Sequence, residues 1–183
     1  MKYCREILIQ GKNISIKCPT QDNLKFIKKL WEDKATMDIV GGPLAMSDEQ
    51  YEKWFKEYVV KNPNTFYCLI FNAEDIPIGE ISYQLIDNKK GIAMFNMKIH
   101  AEHRRKGYAR DAMINFLNYA FNVQKLSIMC DEIGIDNVVS QNLFISFGFE
   151  HKKDKSEHFW TEITKKKFNL LYLEKVSSHY VQI

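Results

Sequence analysis

Long apolar runs are missing from this chain of 183 residues. No stretch approaches the roughly 18 consecutive apolar residues that a membrane-crossing helix requires. The start, MKYCREILIQGKN, is charged where a secretory leader would be apolar, so cytoplasmic residence and no membrane partner are expected. Glycine and proline are sparse, at eight and four, and no segment repeats, which excludes collagen-like and low-complexity chains. Cys4, Cys18, Cys68 and Cys130 lie far apart with no CxxC pair, so neither a zinc knuckle nor a redox dithiol is encoded and no metal is expected. Strong charge of one sign is absent too. Twenty-six Lys and Arg face 23 Asp and Glu, a formal net charge of +3, which gives no reason to expect a nucleic-acid partner. There is no GxGxxG and no glycine followed by Lys-Ser or Lys-Thr, so dinucleotide redox chemistry and nucleoside triphosphate hydrolysis fall away.

What is present is the composition of a globular domain, 45% hydrophobic and 27% charged, in a length suited to one domain over residues 1–183. Ile7 to Gln10 and Asn13 to Lys17 read as strands around Gly11. In TQDNLKFIKKLWED, Leu24, Ile27, Leu30 and Trp31 recur at helical spacing. Ser47 and Gln50 form a capping-box pattern ahead of an aromatic stripe of Tyr51, Trp54, Phe55 and Tyr58, which reads as core or as one wall of a substrate groove.

From Thr65 the period shortens. TFYCLIF, IPIGEISYQLID and GIAMFNMKIH read as three antiparallel strands, and KLSIMC, residues 125–130, as a strand reached through a helix that starts near Gly107. That order suits a parallel crossover. A short helix capped by Asp136 or Asn137 ends at Gly148, and FEHKKDKSEHFW and FNLLYLEKV read as two further strands. The expected fold class is α+β, with a central mixed sheet flanked by helices.

The stretch HRRKGYAR, residues 103–110, crowds cationic side chains around one glycine between a strand and a helix. Glycine lets a ligand approach the backbone, and the first N–H groups of the helix lack internal acceptors. An anion there gains hydrogen bonds and a favourable helix field, which Arg104, Arg105, Lys106 and Arg110 would supplement.

In this context the chain resembles the GCN5-related N-acetyltransferase family, whose pyrophosphate motif appears as Arg104-Arg105-Lys106-Gly107-Tyr108-Ala109 and whose later asparagine segment appears as NVVSQNLFISFGF. The resemblance implies a single acyl-CoA N-acyltransferase-like domain that uses acetyl-CoA as acetyl donor without a metal. It implies that backbone groups from Arg105 to Arg110, Tyr108 among them, hold the pyrophosphate, that Met97 and Ile99 contact pantetheine, and that Asn137 holds a pantetheine amide, with Ser140 and Phe144 nearby. The N-terminal helices and loop look like those of the branch containing ribosomal-protein N-terminal and aminoglycoside acetyltransferases.

The implied reaction is attack of a neutral primary amine on the thioester, with a backbone N–H near Met97 facing the developing oxygen charge. Ala93 stands where some members carry a glutamate base, so Glu80 is the first substitute and Asp131 the second, with His100 read as an exposed loop histidine. Phe144 stands where members commonly carry a proton-donating tyrosine. The expected partner is a small amine, an aminoglycoside or a protein N-terminus, and a homodimer is compatible with such a domain. The alternative reading is a coenzyme A-binding regulatory module with little or no turnover.

Overall fold

The third strand shows how the layers arise. In β3 (Thr65–Asn72), Phe66, Cys68 and Ile70 join one buried cluster and Tyr67, Leu69 and Phe71 join another, so a period of two sends alternate side chains to two apolar layers. A strand with apolar residues at every position needs helices on both faces, and receives them. The computed structural model describes residues 7–152, 158–176 and 180–182.

Among the described residues nine strands form one sheet in the order β7-β8-β6-β5-β4-β3-β2-β1-β9. The strands are β1 (Ile7–Gln10), β2 (Ile14–Lys17), β3, β4 (Pro77–Asp87), β5 (Ile92–Ile99), β6 (Ile128–Gly134), β7 (Glu150–His151), β8 (His158–Thr164) and β9 (Tyr180–Gln182). All neighbours are antiparallel except β5 and β6, which run parallel as the crossover pattern requires. The sheet is therefore mixed, and the α+β reading holds.

One face is covered by α1 (Leu24–Glu32), α2 (Lys34–Met37) and α3 (Asp48–Trp54). Ile27, Leu30 and Trp31 of α1 pack there with Tyr51 and Tyr67. The Ser47–Gln50 capping box forms as read, and the stripe divides: Tyr51 is buried and Trp54 and Tyr58 are half-buried. Trp54 stacks with Tyr58 and meets Trp31 and Tyr67 edge-on, so the stripe is mainly core. The other face carries α4 (Tyr108–Asn118), α5 (Val138–Phe147) and α6 (Lys165–Tyr172). Asp111 ties α4 to the first turn by accepting from the backbone N–H of Lys12 at 3.2 Å and of Asn13 at 2.7 Å.

Two readings need correction. FNLLYLEKV is not a strand: Thr164 caps α6 by accepting from the Lys167 N–H, and Phe168 and Tyr172, four residues apart, are buried together on one helical face. β6 begins at Ile128, three residues later than the segment suggested, because Lys125 has φ of 63° and the Leu126 N–H still donates to the Ala120 carbonyl in the helical exit. Within FEHKKDKSEHFW, residues 153–157 lie outside the described residues.

Candidate active site

The parallel pairing of β5 with β6 covers three residues, Ile92 with Ile128, Ala93 with Met129 and Met94 with Cys130, and then stops. Beyond it β5 continues to Ile99 paired with β4, and β6 continues to Gly134 paired with β8. The two strands part at Phe95 and Asp131. Their facing edges present backbone N–H and C=O groups with no strand partner, which suits an extended polar ligand laid between them.

The chain leaving β5 turns over a 3₁₀ segment, Ala101–His103, then passes Arg105 at φ 63° and Gly107 at φ 80° into α4. Gly107 is the N-cap and supplies no side-chain cap, and a Cβ on it would meet nothing within 4 Å. The helix start is therefore open, with its N–H groups facing space that an anion can fill. A cleft of about 860 Å³ runs from this corner past Met97 and Ile99 to the start of α5, walled opposite by Thr36 and residues 38–41. Ile39, Val40, Ile135, Val138 and Val139 are exposed on its walls, so the cleft is apolar along its length and cationic at one end.

Of the residues expected in the donor site, Met97, Ile99, Arg104, Arg105, Gly107, Tyr108, Ala109, Arg110, Asn137 and Ser140 all line this cleft. Lys106 and Phe144 do not. Phe144 is 5% exposed, in ring contact with Phe95 at 5.8 Å and Phe149 at 4.7 Å, and so packs the core under the wedge.

Arg104 is not a free phosphate ligand. Its Nε donates to the Ile99 carbonyl at 3.1 Å, Nη1 to that of Ala35 at 3.2 Å and Nη2 to that of Thr36 at 3.0 Å, so its side chain ties β5 to α2. Arg110 reaches the cleft from the first turn of α4, and its Nη2 donates to the Tyr172 hydroxyl at 3.2 Å. Asn137 caps α5, its Oδ1 accepting from the Ser140 N–H at 3.1 Å, while Nδ2 donates to the Ile39 carbonyl at 3.1 Å. The role implied for it, holding a pantetheine amide, thus competes with a bond that spans the cleft.

The proton acceptors separate sharply. Glu80 is 1% exposed and receives four donors: Trp31 Nε1 at 2.8 Å, the Tyr67 hydroxyl at 2.6 Å, Asn96 Nδ2 at 3.2 Å and Lys98 Nζ at 2.6 Å. Burial pushes this carboxyl up, but the Lys98 charge and the bonds from Lys98, Tyr67 and Trp31 outweigh it and leave it below the usual carboxylate range. Four donors therefore hold Glu80 as an ionised carboxylate with little basicity to offer. Asp131 differs. It stands on β6 where pairing with β5 has ended, is deeply set yet partly open to solvent, and burial pushes it up to about 7. His100 is 3% exposed rather than on an open loop; its Nδ1 lies 3.7 Å from Glu102 Oε2, and neither ring nitrogen has a hydrogen-bond partner among the described residues.

Sequence reasoning missed Thr36 and residues 38–40, which belong to the wall facing the donor motif, and Lys98, which lines the cleft from β5. Gly41, with φ of 108°, ends that wall and is followed by Gly42 at 96°. Among the described residues no group of three or more His, Cys, Asp or Glu is placed to hold a metal ion, and no helix is long and apolar enough to cross a membrane.

The mixed sheet, the short parallel pairing of β5 with β6 and the glycine-opened start of α4 occur together in one fold. The chain belongs to the acetyltransferase (GNAT) domain family, whose model matches residues 16–150, and it is an acetyltransferase of that family. An uncharacterized N-acetyltransferase of Bacillus subtilis, YjdG, is 28% identical over 118 residues, covering 61% of this chain and 70% of that protein. The crystal structure of spermidine N-acetyltransferase from Vibrio cholerae in complex with CoA and spermine superposes with a TM-score of 0.76 at 18% identity, over 85% of this chain and 98% of that one. A GNAT-family acetyltransferase from Bacillus anthracis gives 0.70 at 16% identity, over 87% and 99%. These structural likenesses carry the fold, and they do not single out the ribosomal-protein or aminoglycoside branch.

Proposed function

We propose that the chain transfers the acetyl group of acetyl-CoA to a primary amine, and that the gap between β5 and β6 is where the two substrates meet. The observation that carries this reading is the end of strand pairing at Met94 and Cys130, together with the open α4 start at Gly107 in a cleft that Met97 and Ile99 of β5 also line. The diphosphate would rest on backbone N–H groups from Arg105 to Arg110, with the Arg105 and Lys106 side chains adding charge at the rim. The pantetheine arm would lie along Met97 and Ile99 as an added strand does.

In the gap the amine nitrogen forms its bond to the acetyl carbon as the C–S bond breaks. The Met97 backbone N–H faces the oxygen on which charge develops, and Asp131 takes the proton that the nitrogen loses. Its value near 7 suits that task, since a base poised near the working pH combines availability with strength. Phe144 offers no proton, so the sulfur departs as thiolate or is protonated by water.

The acceptor is a small amine or a protein N-terminus. The spermine complex of the Vibrio cholerae enzyme brings polyamines into the test alongside aminoglycosides and amino acids. The test is calorimetric titration with acetyl-CoA, followed by thiol release across a panel of amines. Saturable binding with turnover of at least one class is expected. Absence of binding by folded protein overturns the reading, and binding without turnover of any amine favours the regulatory-module alternative.

A further inference from the structure

Lys98 stands next to Met97 on β5, lines the cleft and keeps 16% of its side chain exposed. Its ammonium donates to Glu80 Oε1 at 2.6 Å and to Asn96 Oδ1 at 3.1 Å. An ammonium has three N–H donors, so one remains, on a side chain that is partly exposed in a residue of the cleft lining. The four donors on Glu80 come from β3, β5 and α1, so the carboxylate that anchors Lys98 is itself held by three elements and cannot swing away. The result is a fixed donor on the β5 wall of the cleft. Lys98 also acts electrostatically on Asp131, across the gap where the amine must enter.

A donor shut into a filled site without an acceptor costs free energy, so a well-matched acceptor molecule brings an oxygen to it. A polyamine does not, because its polar positions are cationic donors. The acid on the facing wall, Asp38, is ion-paired with Lys34 four residues before it. A carboxylate beside the reacting amine fits this donor and gains a charge-assisted bond.

Resting on the acetyltransferase reading, we infer that Lys98 is a specificity-determining residue that selects amines bearing a carboxylate one carbon from the nitrogen, as in an α-amino acid, with Glu80 as its positioning residue. The amine would point into the gap toward Asp131 and the carboxylate toward Lys98. Neutral carbonyl acceptors, as at a peptide terminus, would bind the same donor more weakly.

The experiment compares four acceptors with the whole protein and acetyl-CoA: leucine, leucinamide, isoamylamine (leucine without its carboxylate) and spermidine. The expected order of kcat/KM is leucine, leucinamide, isoamylamine, with leucine ahead of isoamylamine by roughly 10-fold to 100-fold, the worth of a hydrogen bond to a charged group. Lys98→Met should raise KM for leucine by about the same factor, well beyond any loss it causes with isoamylamine, leave acetyl-CoA affinity within about 3-fold, and be rescued in part by Lys98→Arg. Because Lys98→Met strands the Glu80 charge, the pair Lys98→Met with Glu80→Gln guards against loss of folding and should show the same change in preference. Equal or better use of leucinamide, isoamylamine or spermidine overturns the inference, as does an equal loss for all four acceptors in the variants. Failure to bind acetyl-CoA would instead sink the acetyltransferase reading itself.

Discussion

Asn137 Nδ2 donates to the Ile39 carbonyl at 3.1 Å, so the residue that caps α5 also joins the two walls of the cleft. One side chain thus sets both the start of a helix and the width of the site. Asn137→Asp keeps the capping oxygen and removes the cross-cleft donor, whereas Asn137→Ala removes both. The alanine variant should lose about 1 kcal/mol of stability. The aspartate variant should melt near the parent temperature but bind acetyl-CoA differently. Thermal melts set beside calorimetry check this, and equal melting losses for both variants would show that the bridge rather than the cap stabilises the fold.

Asp131 titrates near 7, which ties activity and stability to pH in opposite senses. As base, it is competent when ionised, so kcat/KM should rise through about pH 7 and level above it. Asp131→Asn should flatten that profile and lower the plateau by roughly 100-fold to 10,000-fold. Its folded value lies above its unfolded value of 3.8. Protonation therefore favours the folded state, a contribution fully present below about pH 4 and lost as pH rises through about 7. Asp131→Asn should accordingly melt at a higher temperature than the parent at pH 8 and show no such gain near pH 4. A parent rate that does not change between pH 5.5 and 8.5 would remove Asp131 from the chemistry.

Two glycines should fail in different ways. A Cβ at Gly79 would collide with the Lys98 carbonyl oxygen and lie 3.1 Å from Ile99 Cα, so Gly79→Ala pushes apart the β4–β5 pairing that carries the cleft wall. A cost of roughly 1–3 kcal/mol in stability, with activity falling alongside, is expected. At Gly107 nothing stands within 4 Å, and only φ of 80° penalises a side chain. Gly107→Ala should cost about 1 kcal/mol in folding and more in acetyl-CoA affinity. Urea melts and coenzyme titration separate the two, and a Gly107 variant with parent affinity would remove the diphosphate from this corner.

His100 is buried, its Nδ1 lies 3.7 Å from Glu102 Oε2, and neither ring nitrogen has a hydrogen-bond partner among the described residues. Replacing it by phenylalanine, of similar shape and without polar atoms, should stabilise the protein by about 1–3 kcal/mol, the cost of leaving a buried polar group unmatched. A lower melting temperature for His100→Phe would show that a water molecule or ligand satisfies the ring.

How much was legible depended on how local each feature is. The Arg104–Ala109 stretch reads as an anion corner because glycine, helix start and basic residues are neighbours in the chain, and the structure opens the corner at Gly107. The bonds that engage the Arg104 side chain were not legible because its partners, the carbonyls of Ala35 and Thr36, are 69 and 68 residues away. The same distance in sequence hid Lys98: nothing beside it shows that Trp31 and Tyr67 would lock Glu80 beneath it. FNLLYLEKV misread as a strand because a short apolar run supports either period, and Thr164 as cap together with the burial of Phe168 and Tyr172 settled it.

By itself the sequence determined the mixed α+β architecture and the basic glycine corner, since hydrophobic period, turn residues and motif spacing act within one element and its neighbour. Only the tertiary structure decided how differently two carboxylates are held. Glu80 and Asp131 are alike as acids. Four donors from three elements hold the first ionised, while burial at the parting of β5 and β6 leaves the second near neutrality, and those surroundings exist only when distant segments meet.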